Sequence, residues 1–285
     1  ETGYVGTPTP LGYQVTDGNG KISSSTYTPT VTNTVPIAVN DTSSGAYDTN
    51  QTITPVTNDS AGSGASLVAS TVRLCATTST ANASCTLTSL TVADEGTYTV
   101  NTTTGVVTFD PLPTFTGTAS PVKYVVQDTT GQIAGATVTP TVSLPDPPVA
   151  TPESKAVLPG GTAPFTTVSG SGGLGSSVAG LDTSLTCLFT PGTSICDADG
   201  VVTVSGEGTY TLNQSTGVVT FVADVNATQG NKTAVTYQIV DQFGQTATST
   251  LTPVVPAPPV AVNDTSSGEF DTNQMITLLT NDSAT

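Results

Sequence analysis

The chain has 285 residues and sets 5 Lys and Arg against 21 Asp and Glu, a formal charge of −16 carried by only 9% charged residues. Its 60 Thr and 34 Val make up a third of the sequence, and β-branched side chains lose rotamer freedom in helices but pack well on pleated sheets, so an all-β chain is expected and a helical one excluded. The absence of His removes Ser/His/Asp and Cys/His nucleophiles and imidazole metal sites, five scattered cations make no patch for phosphates, and no apolar run nears the ~20 residues of a membrane span, so neither nucleic acid nor membrane insertion is expected.

Internal repeats set the organisation. Residues 1–35 read as the C-terminal part of a truncated repeat: GYQVTDGNGKISSSTYTPTV from Gly12 returns as KYVVQDTTGQIAGATVTPTV from Lys123 and as TYQIVDQFGQTATSTLTPVV from Thr236. Residues 36–147 form the first complete repeat. It opens with PIAVNDTSSGAYDTNQTITPVTNDS (Pro36 to Ser60), which returns at Pro259 to Ser283 with 19 of 25 positions identical, an offset of 223 or two units. Further on, GTYTVNTTTGVVTF (Gly96 to Phe109) matches GTYTLNQSTGVVTF (Gly208 to Phe221) at 11 of 14 positions, an offset of 112 or one unit. Residues 148–258 are the second complete repeat, divergent in its first third, and 259–285 the N-terminal part of another. No signal peptide opens the sequence, so an export signal or wall anchor is expected outside this stretch.

Within a repeat, Tyr98-Thr99-Val100 and Val107-Thr108-Phe109 alternate apolar and polar residues about a Gly-containing turn, which predicts a hairpin with one buried face. Tyr124-Val125-Val126, a turn at Asp128 to Gly131 and the Thr-rich run Ala136 to Val142 predict a second. Such short strands, with Tyr98, Phe109, Phe115 and Tyr124 as large core residues and Tyr210, Phe221 and Tyr237 as their counterparts in the second repeat, predict tandem Ig-like β-sandwich repeats of about 112 residues. Short proline-rich linkers at Pro145 to Pro148 and Pro256 to Pro259 limit bending and favour an elongated rod.

Cys75 and Cys85 lie where Cys187 and Cys196 lie one repeat later. An even number at repeated positions, with neither zinc nor redox spacing, predicts one disulfide per repeat and an oxidising compartment. Asp41, Asp48 and Asp59 recur as Asp264, Asp271 and Asp282, and as hard oxygen donors near a junction they are the candidate calcium ligands. Asn-Asp pairs also form turns, and the matching stretch of the second repeat keeps only Glu153, so no cofactor is expected and calcium is the alternative. No lysine recurs, which argues against a Lys–Asn cross-link in each repeat. The Asp94-Glu95 pair becomes Gly206-Glu207, so paired acids across a cleft are not repeated and no enzyme is expected.

The motifs GEGTYTLNQSTGVVTF and DEGTYTVNTTTGVVTF, the latter followed by FTGTASPVKYVVQDTTGQIAGATVTPTV, resemble the CshA-type fibril repeats of bacterial surface adhesins. The opening PVAVNDTSSG is similar to cadherin-like and Ig-like adhesin repeats. The resemblance implies an extracellular, structural repeat region of a bacterial cell-surface fibril that projects adhesive regions. Its partners would be neighbouring repeats of the same chain. The alternatives are repeats that themselves bind host glycoprotein or glycan, and chains that self-associate into a filament through exposed sheet edges.

Overall fold

The computed structural model describes residues 4–32, 34–166 and 175–283. The outermost residues of both partial repeats and part of the divergent stretch of the second repeat lie outside the described residues. Two compact units divide between Leu144 and Pro145, at the start of the first proline cluster.

The first unit begins with a hairpin of β1 (Leu11–Thr16) and β2 (Ile22–Tyr27). A sandwich follows. Its strands are β3 (Asp41–Gly45), β4 (Gln51–Ile53), β5 (Leu67–Leu74), β6 (Ser89–Val92), β7 (Gly96–Val100), β8 (Val107–Pro111), β9 (Gly117–Thr118), β10 (Val122–Asp128) and β11 (Ile133–Val142). One sheet runs β3-β11-β10-β5 with β9 also on β11, and the facing sheet runs β4-β8-β7-β6. β3 lies parallel to β11, from Asp41 opposite Val138 to Gly45 opposite Val142.

The second unit repeats this plan. It opens with β12 (Val149–Ala150), β13 (Glu153–Ala156), β14 (Thr162–Thr166), β15 (Gly175–Ser176) and β16 (Cys187–Leu188), and continues with β17 (Val201–Val204), β18 (Gly208–Asn213), β19 (Val218–Ala223), β20 (Gly230–Asn231), β21 (Val235–Val240) and β22 (Thr246–Val255). The sheets are β13-β22-β21-β16, with β20 on β22, and β14-β19-β18-β17, and β12 pairs with β15. Again the strand at the edge of the first-named sheet runs parallel to the last, β13 beside β22 with Glu153 opposite Leu251.

Period-two alternation explains both cores. In β7 the residues Gly96, Tyr98 and Val100 point inward and the threonines between them outward. Tyr98 stands opposite Phe109 and Tyr210 opposite Phe221, each pair with ring centroids 4.6 Å apart. Tyr98, Phe109, Tyr124, Tyr210, Phe221 and Tyr237 are all fully buried. Phe115 is half-buried and meets Phe109 edge-on at 6.3 Å. On the outer face, Thr91 pairs with Thr97 (3.0 Å) and Thr203 with Thr209 (3.1 Å), so part of the threonine excess serves cross-strand hydrogen bonding.

The glycine of each GTYT motif is fixed by close packing. A Cβ on Gly96 would stand 2.4 Å from the Asp110 carbonyl and 2.7 Å from the Phe109 ring, and one on Gly208 would stand 2.3 Å from the Val222 carbonyl. The chain thus passes directly over the edge of the aromatic it helps bury.

Candidate functional site

The repeated polar residues gather at two places in the first sandwich. At one pole of the first, Asn40-Asp41 enters β3 while Asn58-Asp59 leaves the turn after β4. An Ile37–Ser60 bridge clamps the two segments together. Asp59 Oδ1 accepts the Val39 N–H at 2.7 Å, and the buried Tyr124 hydroxyl donates to Asp59 Oδ2 at 2.9 Å. Asn58 Nδ2 donates to the Asn40 carbonyl (3.4 Å), and Asn40 Oδ1 accepts the Thr137 N–H (3.1 Å). The NDT…NDS motif is therefore a clip that ties the opening of the repeat to β10 and β11.

Asp41 is buried beside this group, and its Oδ2 has no hydrogen-bond partner. Burial raises the pKa of Asp41; the Tyr124 hydrogen bond opposes the rise and the charge of Asp59 adds to it. Burial also raises that of Asp59, against the hydrogen bonds from Val39 and Tyr124. The Tyr124 hydroxyl, buried next to both acids, is pushed far above its ordinary value.

The structure thus brings two of the three candidate calcium ligands together. Asp48 occupies the turn between β3 and β4 at φ 49°, and none of these hydrogen bonds includes it. Among the described residues no three His, Cys, Asp or Glu side chains gather as a metal site. Both oxygens of Asp59 already accept protein donors, which suits a structural tie.

A sign for pH dependence follows from the raised pair. Because the folded-state values of Asp41 and Asp59 lie above the ordinary 3.8, their protonation favours the fold, a gain that is complete below the unfolded value and is lost as pH rises through the folded ones. The melting transition of the first repeat is expected to rise as pH falls from neutrality to about 4. Asp41→Asn should raise the transition at neutral pH and flatten the profile, as differential scanning calorimetry would read directly.

In the second repeat the equivalent tyrosine keeps its place and changes partner. Tyr237 donates to the Thr151 carbonyl at 2.7 Å and accepts the Thr151 N–H at 3.1 Å. Glu153, the acid retained there, pairs with Lys155 at 3.0 Å.

The other repeated group lies at the β10–β11 turn. Asp128 Oδ1 accepts the Thr130 N–H (2.8 Å), the Thr130 hydroxyl (2.7 Å) and the Gln132 N–H (3.0 Å). Asp241 does the same with Phe243 and Gln245, and Asp17 with Asn19 and Lys21. Burial works against the charge of Asp128, but these donors outweigh it and hold the carboxyl below its usual range.

Each repeat also carries a disulfide, Cys75–Cys85 and Cys187–Cys196, and no cysteine among the described residues is free. Cys75 follows β5 and Cys187 lies in β16, so each bridge fastens the loop that crosses to the facing sheet. Sequence reading missed Lys232, which is buried and donates its Nζ to the Thr228 carbonyl; a lone lysine in a Thr-rich loop gives no periodic signal.

Two sandwiches with an edge strand parallel to the last, a repeated tyrosine pole and a stapled crossing loop define tandem Ig-like repeats. The chain belongs to the family of the surface adhesin CshA repetitive domain, whose model matches residues 33–142 and 161–255. That family is one of structural, cell-surface adhesin repeats and not an enzyme family. No curated protein matches the chain.

Among solved structures, the chain is similar to immunoglobulin domains 1–4 of Sidekick-1, with 12% identity over 86% of this chain and 57% of that one and a TM-score of 0.31. It is similar also to mouse cadherin-23 EC22-24, with 13% identity, 86% and 72% coverage and a TM-score of 0.30. Drosophila N-cadherin EC1-4 matches with 11% identity, 90% and 60% coverage and a TM-score of 0.27. The chain spans less than two thirds of the Sidekick-1 and N-cadherin chains. No described helix is long and apolar enough to cross a membrane.

Proposed function

We propose that this chain is a stalk segment of a bacterial, extracellular surface fibril, in which sandwich repeats are strung end to end to carry adhesive regions away from the cell. The observation that carries this reading is that each repeat closes its own core, one cluster within residues 53–142 and the other within 157–255. A repeat that buries its own apolar surface can be added or removed without exposing its neighbours, so copy number becomes a measure of reach. With strands rising about 3.3 Å per residue, each sandwich adds on the order of 40 Å. The repeated aromatics lie inside the cores, which leaves geometry rather than an aromatic binding platform as the working part. Excess negative charge keeps the Thr-rich surface solvated and away from an anionic envelope.

Electron microscopy of arrays with increasing numbers of the 112-residue unit, at high dilution, tests the proposal. Thin threads whose contour length grows by a constant increment per unit are expected. Compact particles whose length does not follow copy number would overturn it.

A further inference from the structure

Both complete repeats carry an Asp and a Gln at the turn between their last two strands, and the two glutamines are used differently. Asp241 is 1% exposed and Asp128 3%, and each gives its Oδ1 to the N–H groups of its own turn. In the second repeat Gln245 Nε2 donates to Asp241 Oδ2 at 3.0 Å and to the Pro145 carbonyl at 3.1 Å. One side-chain amide thereby joins a buried carboxylate to the linker that enters the repeat. In the first repeat the Gln132 amide turns instead to Thr130 Oγ1 at 3.5 Å, and Asp128 Oδ2 is buried without a hydrogen-bond partner. The cause is local. The Thr130 hydroxyl donates to Asp128 Oδ1 at 2.7 Å and still offers the glutamine a lone pair, whereas the ring of Phe243, at the same place in the second repeat, offers none.

The chemistry of the linker makes this bond consequential. Residues 145–148 read Pro-Asp-Pro-Pro, so three of the four φ angles are fixed by a ring and only Asp146 brings an N–H. The freedom that remains lies in ψ, and the ψ of Pro145 sets the direction of its carbonyl. A donor on that carbonyl stops the rotation that the ring leaves open. Pro145 is buried, and a buried carbonyl that lost its donor would be costly. The donor is itself held from the other side by the Asp241 carboxylate, an acceptor of the stronger kind. Further on, the Tyr237 hydroxyl grips both the N–H and the carbonyl of Thr151. The linker is thus tied at both ends, with Asp146 and Pro147 exposed between the ties.

We propose that Gln245 is a latch that fastens the proline linker to the second repeat, and that Gln132 is the same latch in its open position. The switch between them is the residue two places after the turn aspartate: a hydroxyl there draws the glutamine away, and an aromatic ring leaves it to the linker. Successive repeats then receive their linkers in two ways, one held and one loose. This goes beyond the stalk reading, which requires only that each repeat close its own core.

The test uses the full chain, whose four cysteines are all bridged, so that a nitroxide reacts only with an introduced thiol. Asp146→Cys and, separately, Val35→Cys place the label at exposed positions of the two linkers. Electron paramagnetic resonance then reads nanosecond motion of each linker. At position 146 an immobilised component is expected, to be lost in Gln245→Met, which keeps the length of the side chain and removes its amide. At position 35 a mobile spectrum is expected, unchanged by Gln132→Met. Calorimetry confirms that the second repeat stays folded in Gln245→Met; if that variant unfolds it, Gln245→Asn, with the same amide one methylene short of the linker, supplies the same reading. An immobilised component that survives loss of the Gln245 amide, or one missing with Gln245 in place, would overturn the proposal. So would a gain of mobility at position 35 in Gln132→Met, because the first latch would then be closed. None of these outcomes alters the growth of contour length with copy number.

Discussion

Phe109→Ala and Phe221→Ala should each unfold one repeat and spare the other. Both rings are fully buried, and each faces a buried tyrosine across its hairpin while covering the motif glycine. Truncating such a side chain removes its transfer free energy and leaves a cavity that a sheet held in register cannot close, at a cost of about 3 to 5 kcal/mol. Set against the ~5 to 15 kcal/mol of a whole domain, that loss is large. The two core clusters share no residue, so the effects should appear in separate calorimetric transitions. In Phe221→Ala the transition of the second repeat falls by tens of degrees or vanishes at room temperature, and that of the first stays in place. A common fall of both transitions from either substitution would show that the repeats melt as one unit.

The same residues show what sequence reading captures. Tyr98-Thr99-Val100 carries its own inside-outside assignment, because a sheet with one buried face demands alternation, and the hairpins of both repeats follow from it. Cysteines repeated at one position likewise announce their pairing. The parallel pairing of β3 with β11 is different in kind. It joins residues 97 positions apart, Asp41 with Val138, and DTSSG has no apolar alternation, so local pattern says nothing of it. The polar pole was half legible for a similar reason. Asn40-Asp41 and Asn58-Asp59 look like turn formers, and they are, but the feature that makes Asp59 structural is a tyrosine 65 residues away. Chemistry that depends on a long-range partner is invisible until the topology supplies it. Repetition was the signal that could have exposed it: Asp59 and Tyr124 both belong to segments that recur, and in the second repeat, where the acid is lost, the tyrosine turns to the Thr151 backbone instead.

Removing either disulfide should cost its own repeat about 2 to 3 kcal/mol, the chain-entropy value for a loop of this size. The bridges close separations of 10 and 9 residues, so Cys75→Ser with Cys85→Ser and Cys187→Ser with Cys196→Ser should have similar thermodynamic effects. Their chemical resistance should differ. Cys75 and Cys85 are both buried, in a small cluster with Val125 flanked by Ala81 and Ile133, whereas Cys196 lies exposed in a loop of Thr, Pro, Gly and Ser. Exchange begins with attack of a thiolate on an accessible sulfur. Under limiting reductant the second repeat is therefore expected to lose its bridge first, through Cys196, and its melting transition should shift down while that of the first repeat holds until local opening exposes Cys85. Alkylation of the released thiols followed by peptide mass analysis, alongside calorimetry of the same samples, would place each shift on its own bridge. Equal rates of reduction would mean that opening of the β5–β6 loop is fast enough to cancel the protection that burial gives it. If the chain serves as the proposed stalk, a repeat whose crossing loop is unfastened while its core stays shut is expected to yield first under tension, and the chain then to extend one repeat at a time.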